Sequence, residues 1–296
     1  MKQRPETAGH LAALFTVLIW GTTFISTKVL LTAFAPVEIL FIRFLLGLAA
    51  LFAACPRRLR GMGVRREAAL AAAGLCGVCL YYLLENIALT YTMASNVGVI
   101  VSVSPFFTAL LSRLFLRQEG RLGPRFFAGF AVAMAGIALI SFNGAALRLD
   151  IRGDFLALLA ALVWAIYSIL TRKISAWGLP TVLVTRRIFC YGILFMVPAV
   201  WLLDFQPDLT GFTNPVLVLN LLFLGLGASA LCFVTWNFAV KRLGAVRTSV
   251  CLYLVPVVTV VTSVLILREP LTWMTGLGTA LTLIGLILSQ RRTEAH

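Results

Sequence analysis

The chain has 296 residues, of which 60% are hydrophobic and 12% charged, and its mean hydropathy is +0.98. Soluble domains average about 25% charged residues, so this composition excludes a soluble globular protein. The net charge of +14 comes from Lys and Arg in short clusters between apolar runs. This distribution is typical of membrane topology signals and argues against a nucleic-acid-binding surface.

Taken in chain order, the apolar runs predict an all-α polytopic membrane protein with ten transmembrane helices. About 20 apolar residues span a bilayer, and the connections near 56–67, 143–152 and 204–214 are too short for a soluble domain. The first run is longer than a signal-peptide core, so we expect a retained helix. The helices are expected at 10–31, 36–55, 68–89, 94–115, 124–142, 153–173, 180–203, 215–239, 244–267 and 273–290.

The basic residues predict the orientation of these helices. With a cytoplasmic N-terminus, eighteen of the 25 Lys and Arg lie on the cytoplasmic side and three on the opposite side. The other four, Lys28, Arg43, Arg186 and Arg187, fall within spans. Because cytoplasmic loops carry the excess of basic residues, we expect both termini inside a multi-pass protein of the cytoplasmic (inner) membrane.

Residues of the first half recur in the second half at a nearly constant shift. Trp20 matches Trp164 and Arg43 matches Arg187 at a shift of 144, while Asn86 matches Asn237 and Pro105 matches Pro256 at a shift of 151. Residues 1–142 (helices 1–5) therefore correspond to residues 153–290 (helices 6–10). Because five is odd, the two halves are expected to insert with opposite orientations. Such an inverted repeat is the arrangement from which alternating access follows.

Pro105 and Pro256 each lie near the middle of an apolar run, where a proline is expected to kink a helix. In carriers, paired interrupted helices in the two halves indicate the substrate site. Ser102 lies close enough to the first kink to offer its hydroxyl to the freed backbone or to a ligand.

Several short motifs resemble a known family. In the first half they are Trp20-Gly21, Arg43-Phe44, Asn86-x-Ala88-Leu89, Pro105 and the acidic Glu119, and in the second half Asn237, Ala239, Pro256 and Glu269. Their order and duplication resemble the EamA repeat of the drug/metabolite transporter superfamily over essentially the whole chain. The pattern departs at Glu119, one place later than Glu269 in register, and at Val240, which stands where a leucine would match Leu89. The resemblance implies a ten-helix carrier, commonly an exporter of amino acids or related compounds, with a cavity lined by helices 1, 3, 4, 6, 8 and 9.

Glu85 is the sharpest candidate for function. An ionisable side chain well inside a span costs several kcal/mol unless it is paired or hydrated. Helical spacing places it on one face with Cys79, Tyr82 and Asn86, and Trp236 occupies its place in the second half. Glu85 is therefore expected to couple transport to protons or to bind a substrate ammonium group, and the alternative is a structural hydrogen bond to a neighbouring helix.

Two arginines carry the other candidate charges. Arg43 and Arg187 each lie eight residues into a predicted helix, where each could bind a carboxylate through two hydrogen bonds or instead reach an interface or backbone carbonyls. Glu38 and Lys28 lie near the predicted outer interface and are expected to be solvated.

Aromatic and polar side chains are expected to line a central cavity. Trp20 and Trp164 sit mid-helix, and each needs a partner for its indole N–H. Asn86 and Asn237 are more readily explained by hydrogen bonds between helices than by direct binding. The predicted substrate-binding residues are Trp20, Thr23, Tyr81, Tyr82, Glu85, Asn86, Ser102, Trp164, Tyr167, Trp236, Asn237 and Tyr253.

Helices 5 and 10 carry faces of small residues, including Gly129, Gly136, Gly278 and Gly285. Such faces favour close helix packing, so we expect lipid-side helices or helices that form a homodimer. The pair Cys76 and Cys79 is interpreted as small residues on a packing face.

No metal or cofactor is expected. The two histidines, His10 and His296, lie near the termini, which argues against an imidazole-bound metal within the membrane. The sequence holds no G-x-x-x-x-G-K-[ST] motif, so nucleotide hydrolysis in this chain is not the expected energy source.

These features predict a secondary transporter and not an enzyme. The predicted partners are a small-molecule substrate, the lipid bilayer, protons as a coupling ion and a second copy of the chain. A multidrug or aromatic-cation exporter is the alternative within transport. A membrane-embedded lipid-modifying enzyme and a passive channel are more remote, since the first needs a nucleophile or metal cluster that the sequence does not supply.

Overall fold

The computed structural model describes residues 3–57, 59, 61–91, 97, 100–116, 123–142, 150–202, 205–206, 209–267 and 272–290. These residues are almost entirely helical, and no strand occurs among them. Within the described ranges, seven helices are long and apolar enough to cross a bilayer, and two shorter apolar helices cover Pro124–Ile140 and Trp273–Ser289. The chain is a multi-pass helical membrane protein.

The α-helices follow the predicted apolar runs closely. The first half contains α1 (Gln3–Leu30), α2 (Pro36–Ala54), α3 (Val64–Gly74), α4 (Tyr81–Tyr91), α5 (Ser104–Phe115) and α6 (Pro124–Phe142). The second half contains α7 (Ile151–Ser175), α8 (Thr181–Leu202), α9 (Pro215–Leu222), α10 (Cys232–Leu243), α11 (Ala245–Val250), α12 (Leu254–Leu267) and α13 (Trp273–Gln290). The first part of the run expected at 94–115 lies largely outside the described residues, so the count of ten spanning helices stays a prediction.

Two of the spans contain a π-helical segment, in which the backbone bonds reach five residues back. One, Leu75–Leu80, joins α3 to α4, and the N–H of Tyr81 donates to the carbonyl of Cys76. The other, Phe223–Leu231, joins α9 to α10, and the N–H of Cys232 reaches Gly227. At a shift of 151, Leu75–Leu80 corresponds to 226–231, which lies within the second segment. Both π segments therefore immediately precede the helices that carry candidate site residues.

The two prolines lie at helix starts and not in the middle of continuous helices. Pro105 is in the first turn of α5, after a turn at Ser102 and Val103. Pro256 is in the first turn of α12, after the 3-10 segment Cys251–Tyr253. Instead of kinking a continuous helix, each proline therefore lies where one helix has ended and the next begins. A proline is tolerated in a first turn because it has no N–H to donate.

Helices α6 and α13 pack against each other through their glycine faces. A Cβ built on Gly136 would lie 2.5 Å from the carbonyl oxygen of Gly278, and one on Gly278 would lie 2.6 Å from that of Gly136. Gly129 and Gly285 repeat this approach along the same contact. These four glycines thus pack the two helices against each other within the chain, and the homodimer stays a prediction.

The remaining helices pack in reciprocal pairs. Helix α1 packs against α10 and α12 of the second half, and α7 packs against α4 and α5 of the first half. Helix α2 packs against the second π segment, and α8 packs against α3 and the first π segment. The largest buried cluster lies where these contacts meet and includes Phe44, Trp164, Tyr167, Phe233 and Trp236.

Candidate functional site

The centre of the bundle is filled by aromatic rings from both halves. Trp20 lies with its ring centroid 5.4 Å from that of Trp164 and 5.1 Å from that of Trp236. Tyr81 lies 4.8 Å from Trp164, and Phe233 lies 6.0 Å from Trp20. These five rings, here called the aromatic cluster, come from α1, α4, α7 and α10, so the predicted lining residues of distant helices do meet.

The three indoles of the aromatic cluster differ in their hydrogen bonds. The Nε1–H of Trp20 donates to the carbonyl of Ala228, at 3.0 Å, within the second π segment. Trp164 and Trp236 are 4% and 0% exposed, and neither indole N–H has a hydrogen-bond partner among the described residues. Because a buried indole usually finds an acceptor, two donors at the centre remain available.

Glu85 lies on α4 next to the aromatic cluster. Its side chain is half-buried, and the hydroxyl of Tyr81, one helical turn earlier, donates to its Oε1 at 3.3 Å. Tyr82 packs with its ring centroid 4.9 Å from that of Tyr81. Glu85 is therefore held by one neighbour, and the residue as a whole is only half-buried.

Arg43 of α2 stands on the other side of this tyrosine pair. It is 7% exposed, and its Nε donates to the Ser229 hydroxyl at 2.9 Å. Its guanidinium carbon lies 5.1 Å from the ring centroid of Tyr82, a favourable cation–π distance. Arg43 and Glu85 do not form a direct ion pair. A buried arginine and a half-buried carboxyl group thus contact the two neighbouring tyrosines, Arg43 at Tyr82 and Glu85 at Tyr81.

Arg187 occupies a different environment from Arg43, although the sequence matches the two. Its Nε and Nη2 donate to the carboxylate of Glu67 at 3.1 and 2.9 Å, and the Tyr191 hydroxyl donates to the same carboxylate at 2.7 Å. Its side chain is 42% exposed. The neighbouring Arg186 is buried and donates to backbone carbonyls of Cys55 and Arg57 past the end of α2. Both arginines therefore hold helices together at the ends of α2, α3 and α8.

Asn237 and Tyr167 form a buried hydrogen-bond chain. The Tyr167 hydroxyl donates to Asn237 Oδ1 at 2.8 Å, and Asn237 Nδ2 donates to the Thr185 hydroxyl at 3.0 Å. This chain joins α7, α8 and α10, as expected for an asparagine that bonds between helices. A cavity of about 20 Å³ beside it is lined in part by Thr171 and Lys241, and it has room for about one water.

Other predicted site residues lie further from the aromatic cluster. The Thr23 hydroxyl donates to the carbonyl of Trp20 in its own helix, at 2.7 Å. Tyr253 is fully buried in a separate cluster with Ala109 and Phe126. Ser102 is buried in the turn before α5, and Asn86 is half-buried beside Glu85 on α4.

Glu38 corrects an expectation from the sequence. It is 4% exposed and not solvated. Its Oε2 accepts from the backbone N–H of Ala35 at 2.8 Å, and its Oε1 accepts from that of Gln206 at 3.1 Å. Because a carboxylate satisfies the free N–H groups at a helix start, Glu38 caps α2 and ties it to the connection after α8.

Some candidates cannot be placed. Glu119 and Glu269 of the family motifs lie outside the described residues, as does the side chain of Lys28. Within the part of the chain that the structure describes, no group of three or more His, Cys, Asp or Glu side chains could hold a metal ion.

Three important residues are not among the sequence predictions. Phe233 contacts the rings of Trp20 and Trp164 and lies one turn before Trp236, a spacing that could have revealed it. Ser229 and Glu67 are the partners of Arg43 and Arg187, but each pair is more than 100 residues apart in sequence.

A comparison with known families decides the class of this protein. The profile of the EamA-like transporter family matches residues 7–142 and, a second time, residues 151–290. The chain belongs to the EamA-like transporter family. The resemblance of the paired motifs is thereby confirmed.

Two relatives match nearly the whole length of the EamA-like chain. An uncharacterized transporter of Archaeoglobus fulgidus is 30% identical over 286 residues, covering 95% of this chain and 96% of the relative. A protein of Streptantibioticus cattleyicolor, named as a probable terminal-alkyne amino-acid exporter, is 31% identical over 288 residues, 95% of this chain and 93% of the relative. A solved crystal structure shares the fold, with a TM-score of 0.77 at 21% identity over 95% of this chain and 96% of that one.

Proposed function

We propose that this EamA-like transporter is a secondary carrier of the cytoplasmic membrane that exports amino acids or related small metabolites by alternating access. The observation that carries the proposal is the aromatic cluster, with Glu85 bonded to its Tyr81 and Arg43 packed on the adjacent Tyr82. Rings supply apolar contact area for a side chain, and the charges offer partners for an ammonium and a carboxylate. The relative from Streptantibioticus cattleyicolor that is named as a probable terminal-alkyne amino-acid exporter favours the same substrate class.

Alternating access in this proposal rests on two halves of opposite orientation. Reciprocal packing supports it, since α1 contacts α10 and α12 just as α7 contacts α4 and α5. The matching π segments support it as well. If the halves exchange conformations, the central site opens to the opposite side of the membrane.

Transport in liposomes tests the proposal. Purified protein is reconstituted, and uptake of labelled L-phenylalanine and L-leucine is followed with and without an imposed pH gradient, against protein-free liposomes. We expect uptake above the control, accelerated by a gradient if protons are the coupling ion. Absence of uptake of labelled amino acids under either condition would exclude this cargo.

An exporter of aromatic cations is the second candidate. It is favoured by the carboxyl group of Glu85 next to the packed rings of Tyr81 and Trp164, which together attract a flat cation. The same liposomes distinguish the two functions. Movement of ethidium without movement of either amino acid would favour the cation exporter.

A further inference from the structure

We propose that Arg43 binds the carboxylate of the transported molecule, so that the carrier selects molecules with a free carboxylate group. This inference rests on the proposed function and deepens it, because it assigns the recognition of one chemical group to one side chain.

The hydrogen bonds of Arg43 are incomplete in the structure. Its guanidinium group uses Nε for Ser229, and its two Nη groups have no hydrogen-bond acceptor among the described residues. These groups carry four N–H donors in a planar fork that matches a carboxylate. Arg43 is only 7% exposed. Its Nη atoms are not among the fully buried side-chain atoms that lack a partner in the described part of the chain, so they stay accessible to a carboxylate.

The aromatic surroundings orient this fork. Rings of Tyr82 and Phe44 lie 5.1 and 5.5 Å from the guanidinium carbon, and the bond to Ser229 holds Nε in place. A guanidinium held in this way loses little conformational freedom when it binds a ligand. The group is therefore preorganised for one partner.

Arg187 is an arginine of the same chain whose guanidinium group already binds a carboxylate. The carboxylate of Glu67 accepts from Nε and Nη2 of Arg187. On Arg43, where Nε already donates to Ser229, a substrate carboxylate would instead accept from the two Nη groups. Of these two arginines at matching sequence positions, Arg187 already has its carboxylate, whereas Arg43 has a hydroxyl. The two arginines thus match in sequence, but only Arg187 of the pair already binds a carboxylate of the protein.

Glu85 supplies the opposite charge at the same site. Tyr82 contacts Arg43, Tyr81 packs on Tyr82, and the Tyr81 hydroxyl donates to Glu85. A molecule with both an ammonium and a carboxylate would satisfy both ends of this row. Amines that lack the carboxylate would leave Arg43 without a partner.

The test compares binding of an acid with binding of its amide. Binding of labelled L-leucine and L-phenylalanine to purified protein in nanodiscs is measured, with L-leucinamide and L-phenylalaninamide as competitors. For the wild type we expect the acid to bind at least about tenfold more tightly than the amide, since a hydrogen-bonded charge pair contributes that much. Arg43→Gln should reduce this ratio to about one, and Arg43→Lys should retain part of it, because lysine keeps the charge without the fork.

Arg66→Gln is the matched control. Arg66 also stacks on an aromatic ring, with its guanidinium carbon 5.4 Å from the Trp177 ring centroid, but it is exposed. The Arg66→Gln protein should keep the wild-type ratio of acid binding to amide binding. Thermal unfolding of each variant shows whether it is folded.

The results distinguish a failure of the role assigned to Arg43 from a failure of the proposed amino-acid cargo. A folded Arg43→Gln protein that still prefers the acid, or that loses acid and amide affinity equally, overturns the role of Arg43 and leaves the proposed function intact. A wild type that binds neither amino acid overturns the amino-acid cargo itself, and the role assigned to Arg43 with it.

Discussion

Polar side chains within the bundle differ in how many of their hydrogen bonds are made. Asn237 bonds to Tyr167 and Thr185 and joins three helices. Glu85 and Arg43 each make one side-chain hydrogen bond among the described residues and keep further bonding capacity. Because intramembrane charges are costly unless they serve a partner, these two residues are where we expect substitution to change transport more than stability.

Glu85→Gln should reduce transport at least about tenfold, because it removes a charge that a substrate ammonium or a proton would use. Glutamine keeps an oxygen that accepts from the Tyr81 hydroxyl, so thermal unfolding should change little. Uptake into liposomes at several pH values measures the first effect, and the unfolding midpoint measures the second.

Glu6→Gln is the control for that substitution. Glu6 is exposed at the start of α1, with its carboxylate 3.8 Å from Arg247, and the same chemical change there should leave transport unaltered. Unchanged transport and unchanged pH dependence in Glu85→Gln would rule out a role for the carboxylate.

Sequence reasoning identifies the residues of the site better than it identifies their partners. Glu85 stands out because it is a charge within an apolar run, and Trp20 and Trp164 stand out because they recur at a fixed shift. The bond from Arg43 to Ser229 gives no such signal, since serine is common in membrane helices and the two residues are 186 positions apart. Arg43 and Arg187 occupy matching positions in the sequence, but the segments packed against them supply different hydrogen-bond partners.

At the scale of whole helices, α6 and α13 show how glycine controls distance. Their backbones approach until a carbonyl of one helix occupies the space where a Cβ on the other would lie. This contact relies on van der Waals packing, because lipid provides no hydrophobic force between helices. The glycines therefore fix how closely the two helices pack.

Gly136→Ala should destabilise the protein by about 1–3 kcal/mol, because the added methyl overlaps the backbone of α13. Gly276→Ala is the matched control on α13, since a Cβ at that glycine would meet no atom within 4 Å. It should leave stability unchanged or slightly improved. Thermal unfolding in detergent compares the two, and equal midpoints would contradict the importance of the close contact.

Helix positions are predictable here, but the irregular turns within them are not. Runs of apolar residues predict α2 and α8 nearly to the residue. The π segments involve only six and nine residues, too few for their different periodicity to show in a hydrophobic pattern. The interruptions before α5 and α12 are partly predictable, because prolines mark them.

On the scale of the molecule, the two halves contribute equally to the centre. Helices α1 and α4 bring Trp20, Tyr81 and Glu85, and α7 and α10 bring Trp164, Phe233 and Trp236. The pairing of helices between halves is reciprocal. A motion that changes the angle between the halves would therefore change the site directly.

The proposed opposite orientation of the halves can be tested with two cysteines. Val64 and Ile151 are the first residues of α3 and α7 and are 86% and 87% exposed. In a background without the native cysteines, Ile151→Cys should react with an impermeant maleimide on intact cells. Val64→Cys should react only after permeabilisation. Labelling of both on intact cells would exclude the proposed topology.

The close approach of the three central indoles also gives the protein a built-in optical signal. Their ring centroids lie 5.1, 5.4 and 6.0 Å apart, while Trp201 and Trp273 are 83% and 70% exposed at helix ends. Indoles this near one another share their electronic excitation, which should produce a paired band in the ultraviolet circular dichroism spectrum. Any motion that separates the halves would weaken this band, so a label-free spectrum can follow the working cycle.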